Sequence, residues 1–397
     1  MTQLTLDHLR QACSRGGASV LTVVTELAPA AGEHAGVAPA RYVSGSKPTY
    51  AFETRFVEGE PVSVTMLDQK ASSLNRVEDG IAQEIQAGDP VLSRMPRIVV
   101  RYPDRSAACY ELPHRAFDGH VRAGTVDGAP VTAHPAYLAA RNCTAADARA
   151  LLEMSPVSIV FGAWDSTRGS HQVRFRSALV GEVIGVLADQ SPQGRKIDPR
   201  GAARVDEISP SVRLEGKDMS TLVDQQASEL SAKNADRIRA EAKKGKGLVS
   251  GAALGLGSIP PSLDGLGLVA CRRIIRSQVL SFSALRQLRF GVGADGDVAC
   301  RVLLAALALH GLTVANEELL LRANCDLVEK SAPVVRIDGR NGTTIDLDAL
   351  TREQTAALLQ AAIEEASAKA GIRWEGQVFE VKGNELIAGG ISADPEE

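Results

Sequence analysis

Between residues 60 and 90 the chain changes its hydrophobic period. Val62-Ser63-Val64-Thr65-Met66-Leu67 is a short apolar strand. Leu74, Val77, Ile81 and Ile85 then recur at helical spacing, which predicts a helix over 72–86 with one buried face. Asn75, Arg76 and Glu78 fall off that stripe. Asp68, Ser72 and Ser73 are candidate caps. A second apolar run, Val157–Phe161, also reads as a strand. It enters the polar loop Gly162–Ser170 and then a helix over 177–188 that buries Leu179, Val183 and Val186.

The remaining pattern interleaves strands and helices. It predicts a short helix at 4–14, an Ala/Gly/Pro-rich loop at 26–48 and strands at Tyr50–Phe56, Arg97–Tyr102 and Ser106–Leu112. Asp127-Gly128 marks a hairpin turn. Helices follow at 146–154, 295–310 and 348–370, and a strand at Gln377–Lys382. Residues 220–244 read as one long polar helix with a thin stripe of Leu222, Val223, Leu230 and Ile238, too weak to anchor it in a core. Asp338-Gly339 and Asn341-Gly342 bracket another hairpin. No clean run of βα units appears, so the fold class is α+β with insertions. The whole chain, 1–397, reads as a single elaborated domain with an insertion at 189–262.

The two strand–loop–helix segments set the expected chemistry. A helix N-terminus carries unpaired N–H groups and a partial positive charge, so it attracts anions. Gln69, Lys70, Ser73, Asn75 and Arg76 surround the first such terminus and could hold phosphate or sugar; the alternative is a capped helix meeting water. Around the second, Ser166 and Arg168 could touch a sugar–phosphate backbone. Trp164 could stack on a base or plug the core, and the core role is the commoner for a residue after a buried strand. Two such loops point to a phosphate-rich polymer.

Composition bounds the rest. Apolar residues make up 44% of the 397 residues and charged residues 23%, an ordinary globular balance. The net charge of -4 argues against nonspecific coating of DNA, yet Lys and Arg cluster over 168–204. Aromatics are 4%, so a row of stacking rings is not the main binding mode. The cysteines at 13, 109, 143, 271, 300 and 325 form no C-x-x-C pair, and no signal peptide is expected before them. They read as reduced thiols in a cytoplasmic protein. The seven His are scattered, so no metal is expected. No apolar run is expected to span a membrane.

Catalytic candidates lack a defining arrangement. Asp68, Asp165 and Asp198, or His114, His120 and His171, could act as acid, base or ligand, but no spacing fixes a role. Gly291-Val292-Gly293-Ala294-Asp295-Gly296 is formally G-x-G-x-x-G, but the residues before it have helical spacing, whereas a dinucleotide fold needs a strand there. No cofactor and no enzymatic activity are expected.

Several segments together resemble one family. Leu67-Asp68-Gln69-Lys70-Ala71-Ser72-Ser73-Leu74-Asn75-Arg76-Val77-Glu78 is similar to a signature of the GSU0053-like family, the backbone subunit of the type I-G (I-U) CRISPR-associated Cascade complex, in the RAMP superfamily. The chain departs from that signature at Gln69, Lys70 and Leu74. Pro113–Asp118, Phe161–Ser166 with Ser177–Glu182, Gly255–Ser262 and Ser283–Gly291 fit in the family's order. The resemblance implies a ferredoxin-like (RRM-like) palm with inserted finger and thumb segments. It implies copies that polymerise along a CRISPR guide RNA and hold it for pairing with a target DNA strand in antiviral defence. The implied partners are further copies of the chain, an RNA-processing, handle-binding subunit, a large subunit and a recruited helicase-nuclease, with no membrane. The RNA-binding candidates are Lys47, Gln69, Lys70, Ser73, Asn75, Arg76, Trp164, Ser166, Arg168, Arg174, Arg176, Arg195, Lys196, Lys243, Lys244 and Lys246. Two other readings remain: a RAMP-type endoribonuclease using an acidic loop residue, and a nucleotide-dependent oxidoreductase.

Overall fold

The computed structural model describes residues 2–45, 47–170, 172–195, 212–244, 247–257 and 267–388. Its contacts divide into two units. One is Met1–Ala40, Tyr50–Gln190 and Val269–Glu397; the other is Arg41–Thr49 and Ser191–Leu268.

The first unit is α+β, built on a large sheet. Its strands are β1 (Val20–Pro29), β2 (Phe52–Val57), β3 (Glu60–Asp68), β4 (Leu179–Leu187), β5 (Cys271–Ser281), β6 (Val334–Asp338) and β7 (Thr344–Leu347). They lie in the order β7-β6-β1-β5-β4-β3-β2, each antiparallel to its neighbour, and Leu327–Glu329 adds a further pairing to the end of β1. Period two is plain in β5, where Ile274, Arg276, Gln278 and Leu280 point inward. Four helices complete the core: α1 (Leu6–Cys13), α2 (Lys70–Ala87), α3 (Gly293–Glu318) and α4 (Arg352–Ala370). Helix α3 packs against α1, α2 and α4, and α2 against β4. A smaller sheet joins Arg97–Arg101 in parallel with Val378–Lys382 and carries the expected hairpin at Asp127-Gly128.

Three expectations are corrected here. Residues 26–48 are not one loop, because β1 runs to Pro29 and Arg41–Ser44 pairs with Lys47–Tyr50. Helix α3 is long and apolar enough to cross a membrane by length and composition, but it is almost entirely buried in this core. The third correction concerns the second predicted strand–loop–helix. Pro156–Val160 is a short helix and Leu179–Leu187 is strand β4. Pro156 at the first helical position suits a helix start. Strand β4 alternates only over its first four residues and is buried on both faces over its last five.

The second unit has its own small core. The expected single helix over 220–244 is two helices, Gly216–Gln225 and Ala232–Lys244, packed on each other. Met219, Val223, Ala235, Ile238 and Ala242 are buried between them and a ribbon of Arg213–Glu215 with Leu248–Ser250. Splitting the helix lets a thin apolar stripe close on itself.

Candidate functional site

Strand β3 ends at Asp68 and α2 begins at Lys70, with Gln69 at the N-cap making no side-chain cap bond. The expected caps do other work. Asp68 is buried and accepts from Arg76 at 3.2 and 3.3 Å, and Arg322 lies 3.5 Å from it. Arg76 also donates to Ser72 Oγ at 3.3 Å and to the Leu320 carbonyl at 2.5 Å, so its donors are engaged within the fold. Ser73 faces the sheet: a Cβ on Gly181 of β4 would sit 2.5 Å from its Oγ. Gln69, Lys70, Ala71 and Asn75 remain exposed. Glu78 does not face solvent as its place off the stripe suggested. It is 3% exposed and holds Arg115 by two bonds of 2.5 and 2.6 Å. Burial pushes its carboxyl up to about 6 despite the paired guanidinium.

The loop after Val160 folds into a two-residue hairpin, Ala163–Trp164 against Arg174–Phe175. The chain turns into it at Gly162, φ 88°, where a Cβ would lie 2.9 Å from Ser177 N and 3.1 Å from Phe175 O. Only glycine fits that backbone. Asp165 is buried and accepts from Arg141 through Oδ2 at 2.8 Å. Trp164, between these two anchored residues, points outward. It is 47% exposed, which overturns the core-plug reading, and the Arg174 guanidinium lies 5.1 Å from its ring centroid.

This hairpin walls a cleft of about 770 Å³ whose other lining includes Ala71 in the first turn of α2, His114, Arg115 and Arg176. Among the described residues no carboxylate lines it. Arg174 also borders a neighbouring recess of about 530 Å³ with Arg168 and Gln172, again with no carboxylate from the described residues. Arg168 donates to Asn142 Oδ1 at 2.7 Å, and Arg174 and Arg176 have no acidic partner among the described residues. The structure therefore brings the first turn of α2 to Trp164, Arg174 and Arg176, with Arg168 one recess away.

The other candidates lie elsewhere. Ser166 is half-buried, and its carbonyl accepts from Gln172 at 3.2 Å. Asn75 borders a separate recess with Glu78 and Tyr110. In the second unit, Arg195, Lys243 and Lys244 are exposed. Lys196, Lys246 and the Lys47 side chain lie outside the described residues, as do Asp198 and His171. His114 and Arg115 were missed as cleft walls. His114 was singled out only as an acid–base candidate and Arg115 only within the segment Pro113–Asp118, and the left-handed φ of 50° at Arg115 leaves no mark in sequence.

Among the described residues no group of three or more His, Cys, Asp or Glu could hold a metal. The Gly291–Gly296 run follows the helical turn Phe282–Leu285 rather than a strand. Gly296 is packed beneath α4, where a Cβ would lie 3.1 Å from Lys369 O. The context of a dinucleotide loop is missing there.

Residues 21–190 match the family model described as CRISPR-associated protein GSU0053. That stretch spans β1 to the end of β4 and includes the whole lining of the cleft. No curated protein matches the chain.

Proposed function

From the premise that this is a GSU0053-like CRISPR-associated protein, we propose that it is an RNA-binding backbone subunit of an effector complex. In this reading it holds the guide RNA along its sugar–phosphate backbone. Copies polymerise on the RNA and present it to a target DNA strand, alongside the other subunits of the complex, in the cytoplasm. It binds and does not cleave.

The observation that carries the reading is a cleft lined by no carboxylate among the described residues, in which Trp164 stands exposed against Arg174 and beside Arg176. Guanidinium groups without carboxylate partners attract phosphate, and an exposed indole accepts a base by stacking. Ala71, in the first turn of α2, also lines the cleft and brings the positive end of that helix near it. Strand order supports a ferredoxin-like palm. Taking β1, β4, β5 and β6 as the four palm strands gives the antiparallel order 4-1-3-2, with α2 before the second strand and α3 before the fourth.

The test is fluorescence anisotropy with a labelled single-stranded RNA of mixed sequence. The triple variant W164A/R174A/R176A is expected to bind at least tenfold more weakly than the parent. Arg336→Ala, on the other side of the sheet order and paired with Asp346, is expected to bind like the parent. Equal affinity of the triple variant and the parent would overturn the assignment.

A further inference from the structure

Trp164 sits on a two-residue strand, too short to fix its own position. Two buried ion pairs flank it. Before it, Arg115 binds Glu78 through Nε and Nη2 and donates from Nη1 to the Gly162 carbonyl at 2.7 Å. After it, Asp165 binds Arg141. The side chains of Glu78 and Asp165 are 4% and 0% exposed. Glu78 lies seven residues beyond Ala71 on α2, which puts both on one helix face. One guanidinium thus connects the face of α2 that borders the cleft to the backbone that precedes Trp164.

A buried ion pair is a poor way to add stability, because desolvation offsets much of the attraction. Arg115 is moreover held at φ 50°, a conformation disfavoured for a residue with a side chain. Local hydrogen bonds hold that turn in place: Ala116 N–H donates to Ser158 Oγ at 3.2 Å, and Asp118 accepts from His114 N–H at 3.1 Å. What the arrangement supplies is geometry.

We propose that Glu78 and Arg115 are positioning residues that tie the Trp164 hairpin to α2 and so set the width of the cleft. The inference rests on the reading of that cleft as the nucleic-acid site and goes beyond it, since neither residue needs to touch the ligand. Arg115 binds a carboxylate at two points and a carbonyl at a third, which a lysine ammonium cannot reproduce in the same plane.

The chain has two Trp, so 5-fluorotryptophan labelling gives two ¹⁹F resonances, assigned with Trp164→Phe. The decisive variant is the double E78L/R115M, which removes both charges together and leaves none buried alone; E78Q and R115K are the single comparisons. The double variant is expected to keep the parent's melting temperature within a few degrees. Its Trp164 resonance is expected to shift and broaden while that of Trp374 stays, and its RNA affinity to fall about tenfold. R115K is expected to reproduce the Trp164 change. An unshifted Trp164 resonance in a folded double variant overturns the proposal, whatever the RNA result. A shifted resonance in a protein whose parent binds no RNA upholds the tie and instead overturns the reading of the cleft. If the double variant does not fold, R115K decides on the same resonance.

Discussion

Arg76 reaches back along the first turns of α2 to Asp68, 3.2 Å away, and closes over a carboxylate that the end of β3 has buried. The same guanidinium caps the Leu320 carbonyl after α3. A residue that reads as a surface phosphate ligand is thus a brace between strand, helix and loop. Arg76→Ala leaves Asp68 with Arg322 alone, at 3.5 Å. The expected loss is about 1–3 kcal/mol of unfolding free energy, measured by urea titration. RNA affinity of the folded variant is expected to stay within about twofold of the parent. A tenfold loss of affinity without loss of stability would return Arg76 to the binding surface.

Arg174 and Arg176 carry the opposite expectation, since both are exposed and lack carboxylate partners among the described residues. Each phosphate contact on a single strand contributes about 0.7 to the slope of log affinity against log salt. R174A and R176A are each expected to lower that slope by about 0.7 and to change stability by no more than about 0.5 kcal/mol. Affinity titrations between low and moderate salt measure it. A slope unchanged in the double variant would mean that neither side chain meets a phosphate.

The contrast between Arg76 and Arg174 marks what the sequence could and could not disclose. The helix after residue 70 and the hairpin at Asp127-Gly128 were legible, because one buried helix face and a turn dipeptide write themselves into the chain. The apolar run 62–67 was legible as a strand although both its faces are buried; the polar loop expected between strand and helix shrinks to Gln69 alone. Strand β4 was not. Its apolar residues at 179, 183 and 186 fall at helical spacing, yet both faces are covered and Gly181 is there to admit Ser73. Val157–Phe161 is β-branched and apolar like a strand, but its Pro156 start and complete burial serve a helical turn. Exposure of Trp164 was hidden for another reason. It depends on Arg115 and Arg141, which lie 49 and 23 positions away and become neighbours only in the fold.

Gly162 should be the least replaceable glycine near the cleft. Alanine there must accept φ 88° and a Cβ 2.9 Å from a backbone nitrogen. The expected cost is about 2 kcal/mol or more, read from thermal or denaturant unfolding. Gly169, in the same loop but with nothing within 4 Å of a Cβ, is the control and should accept alanine with a change under about 0.5 kcal/mol. Equal effects at the two positions would mean that the Gly162 turn relaxes freely.

His310 gives the core a dependence on pH. It is buried in α3 with Nδ1 3.1 Å from Thr355 Oγ1, and burial pushes its pKa from 6.5 down to about 4. Between those values the unfolded chain binds a proton that the folded chain refuses, so stability falls as pH drops through that window. At about 1.4 kcal/mol per pH unit the full loss is on the order of 3 kcal/mol. Glu78 acts in the opposite sense. Its folded value of about 6 lies above 4.5, so acid down to pH 4.5 favours the folded state at that site. His310→Gln is therefore expected to be less acid-sensitive than the parent between pH 6.5 and 4.5 in denaturant midpoints, and Glu78→Gln more so. Parallel pH profiles for the parent and H310Q would show that His310 titrates normally.

The second unit should unfold by itself when its own core is broken. Ile238 is 1% exposed and packs with Met219, Val223, Ala235 and Ala242, in a cluster separate from the large core of the first unit. Five buried side chains, two of them alanine, give this cluster little reserve, so placing a charge among them exceeds what it can absorb. Ile238→Asp is expected to open the segment 212–257 to limited proteolysis while the melting transition of the remainder stays within about 2 °C of the parent. Lys243 and Lys244 end the same helix and are exposed, so the variant also tests whether an ordered arm is needed on RNA. Binding to a short oligonucleotide should persist, because the cleft residues belong to the first unit, while cooperative assembly on a long RNA should weaken. A main transition that falls together with the arm would mean that the two units fold as one.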